Sequence, residues 1–394
     1  MKFCFDRLLQ DQIPYPNLAR ASAAPFTPSW RQFDQHYPQV VPLRLLMYLK
    51  WLDISYEITT VSQATVDAWY PVAFSWFNFE LDYFELMPLN TLSAIKQQKF
   101  RVLFYYHEAD NPYHIKQRID FLIDKHQLPQ DCYCFISANS AARNIENFLY
   151  WPEHELFFGY INRMQSIVAI NQTSTYDFTV LSRWHKSWRL SVMADLHRDG
   201  LLENSLFSYD TNFVPDPHDV NPIESDSYSD WQLATQTFLQ GGPYRCDEFN
   251  RQQNNDHHWV NTPLYTSSRC HIVLETHFDA DGSGGTFFTE KTFKCIKFGQ
   301  PFVIAAPPNS LAELRQMGYK VFDNIIDNTY DTIQDNTQRW LALKNTIRLI
   351  KQRDPLDWIT HVQHDTQHNQ DLFFTRNRIA IDELSKQLYQ LATA

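Results

Sequence analysis

Lys99-Phe100-Arg101-Val102-Leu103-Phe104-Tyr105-Tyr106 is an unbroken apolar run closed by the polar loop His107-Glu108-Ala109-Asp110-Asn111-Pro112. A helix-length segment, 113–126, follows. Then comes a second apolar run, Cys132-Tyr133-Cys134-Phe135-Ile136-Ser137. Short runs without polar alternation suit strands covered on both faces, which is the setting of a parallel sheet. Strand, loop, helix and strand in this order predict a βαβ unit and an α/β fold.

The pattern recurs further on. A strand is predicted at 176–181, and the basic turn Ser182-Arg183-Trp184-His185-Lys186-Ser187-Trp188-Arg189 leads into a helix running to about 198. Gly200 stands where a helix-terminating glycine belongs. The polar region 210–262 reads as loops with one helix near 231–239. Strands are predicted at 271–276 and 301–305, and a helix at 289–297 with Thr289 as its N-cap. A helix over 310–317 ends at Gly318, a short strand covers 319–322, and helices fill the remainder. The first 40 residues, rich in proline and aromatics, read as an extended lead-in, and 42–58 as a helix followed by a strand.

Two consecutive α/β halves with a seam near 165–178 are therefore expected. The domains would be 1–175 and 176–370, with a C-terminal helix at 371–394. A chain of 394 residues accommodates two domains of about 150–200 residues each. Apolar residues at 44% and charged residues at 20% support a buried core. The net charge of −11 argues against a generally basic nucleic-acid-binding surface. No internal repeat or low-complexity tract stands out, and no apolar run approaches the roughly 18 residues of a membrane span. The N-terminal residues lack the apolar stretch of a secretory leader. The six cysteines, Cys4, Cys132, Cys134, Cys246, Cys270 and Cys295, are scattered and read as thiols of a reducing, cytoplasmic setting.

Ligands of parallel sheets sit beyond the carboxyl ends of the strands, so residues just after each strand are the candidates. Arg183, Lys186 and Arg189, spaced i, i+3 and i+6 at the start of a helix, are candidates for an anionic ligand. Glu290 and Lys291 open a helix after the glycine-rich Asp281-Gly282-Ser283-Gly284-Gly285. A carboxylate there can accept both hydroxyls of a ribose, and the lysine can reach a phosphate as a point charge. Glu108, at the end of a strand, is a candidate general base. His361, His364 and His368 share a helical face that could bind a metal, but the segment is polar throughout and reads as a solvent-exposed face. Asp256-His257-His258-Trp259 is a weaker metal candidate. Walker, Gly-x-Gly-x-x-Gly, Gly-x-Ser-x-Gly and Cys-x-x-Cys motifs are missing from the sequence.

Two stretches carry a resemblance. Residues 178–189 together with Leu196-His197-Arg198-Asp199-Gly200-Leu201-Leu202 resemble a strand–basic-turn–helix motif of phage and bacterial glycosyltransferase-like proteins. Phe287-Phe288-Thr289-Glu290-Lys291-Thr292-Phe293-Lys294, Gly299-Gln300-Pro301-Phe302-Val303-Ile304 and 310–322 resemble their second motif. The Thr-Glu-Lys core is similar to the donor motif of the α-1,3-fucosyltransferases. Trp184-His185 departs from that pattern, standing where further basic residues are common.

This resemblance covers roughly the C-terminal half. It implies a GT-B architecture of two Rossmann-like domains facing a cleft, with the second binding a UDP- or GDP-linked sugar. Arg183 and Lys291 would neutralise the diphosphate, helped by Lys186 and Arg189, and Glu290 would hold the ribose. Neither a metal nor another cofactor is implied, because cationic side chains do the leaving-group work. Glu108 would deprotonate the acceptor. The C-terminal helix would pack back on the first domain. Phage enzymes of this kind decorate hydroxymethylated pyrimidines, so double-stranded DNA carrying such bases is the expected acceptor, with no membrane partner. A surface glycan or a small molecule is the alternative acceptor. A non-catalytic glycan- or nucleotide-binding module and a viral DNA-binding structural protein are the alternatives outside catalysis.

Overall fold

The computed structural model describes residues 2–5, 55–74, 82–85, 87–106, 110–152, 154–155, 174–182, 186–210, 221, 223, 228–246, 261–280 and 282–393. The chain divides into two compact units. One comprises Met1–Glu153, Asp281–Gly285 and Arg378–Ala394, and the other His154–Ala280 and Thr286–Asn377.

In the first unit the elements are β1 (Lys2–Phe5), β2 (Glu57–Thr60), β3 (Ala68–Ala73), α1 (Leu89–Lys96), β4 (Arg101–Tyr106), α2 (Pro112–His126), β5 (Tyr133–Ser137) and β6 (Phe148–Tyr150). Among the described residues they form a six-stranded sheet in the order β2-β1-β3-β4-β5-β6, with every neighbouring pair parallel. The βαβ unit read from the sequence is β4-α2-β5. Helix α2 starts where Pro112 needs no N–H partner and where the Asn111 side chain accepts from the Tyr113 amide at 2.9 Å. Its buried face, Ile115, Ile119, Leu122 and Ile123, follows helical spacing and joins the same core as Phe104 and Phe135 of the adjacent strands.

The proline- and aromatic-rich composition of residues 1–40, of which 6–40 lie outside the described residues, predicts an extended lead-in segment. Lys2–Phe5 is instead an interior strand, pairing with β2 on one side and β3 on the other. Phe3, Cys4 and Phe5 are fully buried. Four residues are too few to display a strand's period, and both partners lie more than fifty residues downstream.

The second unit holds β7 (Tyr176–Ser182), α3 (Ser187–Arg198), β8 (Leu206–Tyr209), α4 (Tyr228–Gly241), α5 (Pro263–Thr266), β9 (Ser268–Leu274), α6 (Glu290–Lys297), β10 (Phe302–Ala305), α7 (Ser310–Gln316), α8 (Asn336–Gln352) and α9 (Pro355–Thr393) as far as Asn377, the rest of α9 belonging to the first unit. Its four-stranded sheet, again among the described residues, runs β10-β9-β7-β8 with all pairs parallel. All seven residues of β9 are buried, as a central parallel strand requires. Gly200, at φ +68°, terminates α3 in the left-handed conformation that glycine adopts without strain. The strand expected at 319–322 does not form. Phe322 has φ +63°, which breaks an extended path, while Tyr319, Val321 and Phe322 still fill the core. Among the described residues no helix is long and apolar enough to cross a membrane.

A buried polar chain crosses this sheet. His271 Nδ1 lies 3.1 Å from Gln300 Oε1, and Gln300 Nε2 donates to Ser268 Oγ at 2.6 Å. Ser268 Oγ is 2.8 Å from Thr179 Oγ1, which donates to the Leu264 carbonyl at 2.8 Å. Tyr265 stacks on the imidazole. Burial pulls the His271 pKa from its ordinary 6.5 down to about 4. A group whose folded pKa is depressed binds its proton more readily unfolded. Its stabilising share is therefore full above 6.5 and lost as the pH falls toward 4. That share is about 3 kcal/mol. The difference in urea unfolding free energy between pH 7 and pH 4 is expected to shrink by about this amount in His271→Gln.

Candidate functional site at the carboxyl ends of the second sheet

From β7 the chain crosses to β8 on one side, then returns to β9 on the other. Such a reversal of strand order opens a crevice at the carboxyl ends of the two strands, the usual ligand position in open parallel sheets. Glu275, leaving β9, and the start of α6 meet at this end of the second unit.

Glu275 follows β9 directly and is fully buried. Its Oε1 accepts from the Thr289 amide at 3.2 Å and from Thr292 Oγ1 at 2.6 Å. Its Oε2 accepts from Thr289 Oγ1 at 2.6 Å and from the Thr276 amide at 3.3 Å. Four donors on two oxygens is the bonding pattern of an ionised carboxylate, which only accepts. Arg189, buried on α3, donates from Nε to the Glu275 carbonyl at 3.2 Å, bringing a cation beside this acid.

Thr289 is the N-cap of α6, as the sequence predicts. Its Oγ1 accepts from the Lys291 amide at 3.4 Å and from Lys291 Nζ at 2.9 Å. Lys291 Nζ also lies 3.4 Å from Glu290 Oε1. On the other side of Glu290, His154 Nδ1 is 3.9 Å from Oε2 and its ring meets Phe287 edge-on. The adjacent Glu155 is fully buried and accepts from Arg376 Nε at 2.8 Å and from the Tyr319 hydroxyl. This pairing ties Glu155 to α9.

Two internal carboxylates already complement helix N-termini at this edge. Glu275 does so at α6, and Asp331 at α7 through the Leu311 and Ala312 amides at 2.9 and 3.2 Å. Attraction for an anionic ligand here therefore comes from cationic side chains. Lys291 is partly accessible, and the half-buried Lys186 occupies the N-cap position of α3. Arg189, expected with them at an anion, also links α3 to the end of β9 through the Glu275 carbonyl. Arg183 and Glu108 lie outside the described residues, as do Trp184-His185 and Asp256-His257-His258-Trp259.

The glycine stretch also has a protein partner. A Cβ on Gly285 would fall 2.0 Å from Asn139 Oδ1 and 2.6 Å from the Ala141 amide nitrogen, both in the same first unit. The close approach that this glycine permits is to the Asn139-capped turn after β5. The three histidines on α9 act separately. His361 Nδ1 lies 2.8 Å from the Asp357 carbonyl, His368 Nε2 lies 3.0 Å from the Gly318 carbonyl, and His364 is exposed beside Asp365. Among the described residues no group of three ligand-type side chains is arranged to hold a metal. Burial pushes the thiol of Cys132 up to about 12 and raises those of Cys134, Cys270 and Cys295. At neutral pH these four are core side chains and not nucleophiles.

Glu275, Thr292 and His154 were not singled out in the sequence. Glu275 had a signal, since it directly follows a strand. The predicted strand ran through 276 and so enclosed it, whereas β9 ends at Leu274. His154 had none, because only the fold brings it to Glu290. Comparison of the chain with protein-family models and with curated proteins yields no match.

Proposed function

We propose that this chain is a nucleotide-sugar-dependent glycosyltransferase of GT-B type whose second unit binds a UDP- or GDP-linked donor. The observation that carries this reading is the Glu290-Lys291 pair on the first turn of α6, at the strand-order reversal of a parallel sheet. The two oxygens of Glu290 suit a vicinal ribose diol, and Lys291 supplies positive charge one residue away. Lys186 and Arg183 add charge for the diphosphate, and Arg189 holds α3 against the end of β9.

The acceptor we propose is a hydroxymethylated pyrimidine in double-stranded DNA. In the reaction Glu108 takes the acceptor hydroxyl proton as that oxygen bonds to the anomeric carbon. The bond from that carbon to the diphosphate oxygen breaks and leaves its electron pair on the nucleoside diphosphate. Lys291 and Arg183 stabilise the departing charge, so cationic side chains do the work that a metal would otherwise do. The proposal includes a cytoplasmic setting, which suits a DNA acceptor.

Calorimetric titration with UDP and GDP, on the wild type and on Lys291→Ala, tests the donor site. Micromolar binding of one nucleotide is expected, weakened about tenfold or more in the variant. Binding of neither nucleotide to the wild type overturns the reading. With the donor base known, transfer to hydroxymethylcytosine DNA is compared with transfer to unmodified DNA, and equal transfer rules out the proposed acceptor.

A further inference from the structure

The Lys291 ammonium meets Thr289 Oγ1 at 2.9 Å, and that hydroxyl has one proton to give. The proton goes to Glu275 Oε2 at 2.6 Å, because an ionised carboxylate offers no donor in return. The lone pairs of Oγ1 are thereby turned toward the Lys291 amide and ammonium. The carboxylate is itself fixed. Its other oxygen takes the Thr289 amide and the Thr292 hydroxyl, and it is buried where an unmatched charge would be costly. Glu275 thus acts on Lys291 through a single hydroxyl, without touching it.

We propose that Glu275 is a positioning residue that orients the Thr289 hydroxyl so that it holds the Lys291 ammonium at the mouth of the donor site. Its functional consequence rests on the donor-site reading above; the geometric claim does not. With Glu275→Gln the side chain keeps its size but gains an N–H₂ that can face Thr289. The hydroxyl then accepts from the amide and competes for the lone pairs that held the lysine. Thr289→Val removes the hydroxyl, whereas Thr289→Ser retains it.

Site-resolved acylation of Lys291 by a succinimidyl ester, followed by mass spectrometry, reads the ammonium with no nucleotide present. Labelling is expected to be several-fold faster in Glu275→Gln and Thr289→Val than in the wild type, and unchanged in Thr289→Ser. Labelling as slow in Thr289→Val as in the wild type overturns the proposal, whatever the protein binds. Thermal midpoints confirm that each variant is folded. The second arm compares a nucleoside diphosphate with its nucleoside. Glu275→Gln is expected to weaken diphosphate binding about tenfold, to leave the nucleoside unaffected, and to add nothing in a Lys291→Met background. Equal weakening of nucleoside and diphosphate marks a merely structural role and overturns the proposal. If the wild type binds neither nucleotide, the donor reading falls and the labelling rates alone decide the role of Glu275.

Discussion

Gly285→Val is expected to destabilise the first unit by about 3 kcal/mol or more. At Gly285 a Cβ would lie 2.0 Å from Asn139 Oδ1, 2.6 Å from the Ala141 nitrogen and 2.7 Å from Ala141 Cβ. The nearest of these belongs to a side chain, but the Ala141 nitrogen is backbone and cannot rotate away. Asn139 Oδ1 also accepts from that same amide at 3.0 Å, capping the turn Ser140–Asn144. An added side chain therefore both overpacks the contact and displaces the cap. Asn139 is buried, so the displaced amide gains no water in exchange. Hydrogen exchange at the Ala141 amide is expected to accelerate sharply, with a lower thermal midpoint. An unchanged exchange rate would show that the 281–285 segment yields and that the close approach is dispensable.

Asp195→Ala is expected to cost the second unit about 4 kcal/mol. Asp195 is only 1% exposed on α3. It pairs with Arg198 on its own helix and with Lys344 Nζ of α8 at 2.8 Å, and it accepts from Trp340 Nε1 at 2.8 Å. Truncation leaves the Trp340 N–H without its acceptor in the core and Lys344 with Asp199, at 3.1 Å, as its remaining acidic partner. The neighbouring Asp199→Ala is the contrast. Asp199 is 20% exposed and pairs with partners that include the half-buried Arg348, so about 1 kcal/mol is expected there. Urea midpoints of the two variants measure the difference. Equal midpoints would show that burial of the carboxylate does not set the cost.

Both effects depend on contacts that the linear chain does not display. Asp195 is 145 residues from Trp340, and Gly285 meets residues near 140. The elements themselves were far more legible. The run 99–106, the helix after it and the second run at 132–137 correspond to β4, α2 and β5 with boundaries shifted by two residues or fewer. The reason is local. Buried parallel strands are apolar without interruption, and Asn111-Pro112 and Thr289 are caps whose chemistry acts within two residues. Lys2–Phe5 and Leu206–Tyr209 were illegible for the opposite reason. Each is a four-residue strand held by a partner distant in the chain, so length and period said little.

The candidate site divides along the same line. The residues determined by sequence alone are those whose meaning is carried by adjacency: Thr289 as a cap, and Glu290 and Lys291 as an acid and a base on a first helical turn. The parallel character of both sheets belongs with them, because burial on both faces writes itself into each strand. Only the tertiary structure decided what surrounds that turn. Strand order placed it at a reversal between β7 and β9. Long-range packing drew the buried Glu275 to Thr289, set His154 near Glu290, and bonded Arg189 to the Glu275 carbonyl. A buried charge survives only where the fold converges enough donors on it, and that convergence belongs to the packed chain and not to any stretch of it.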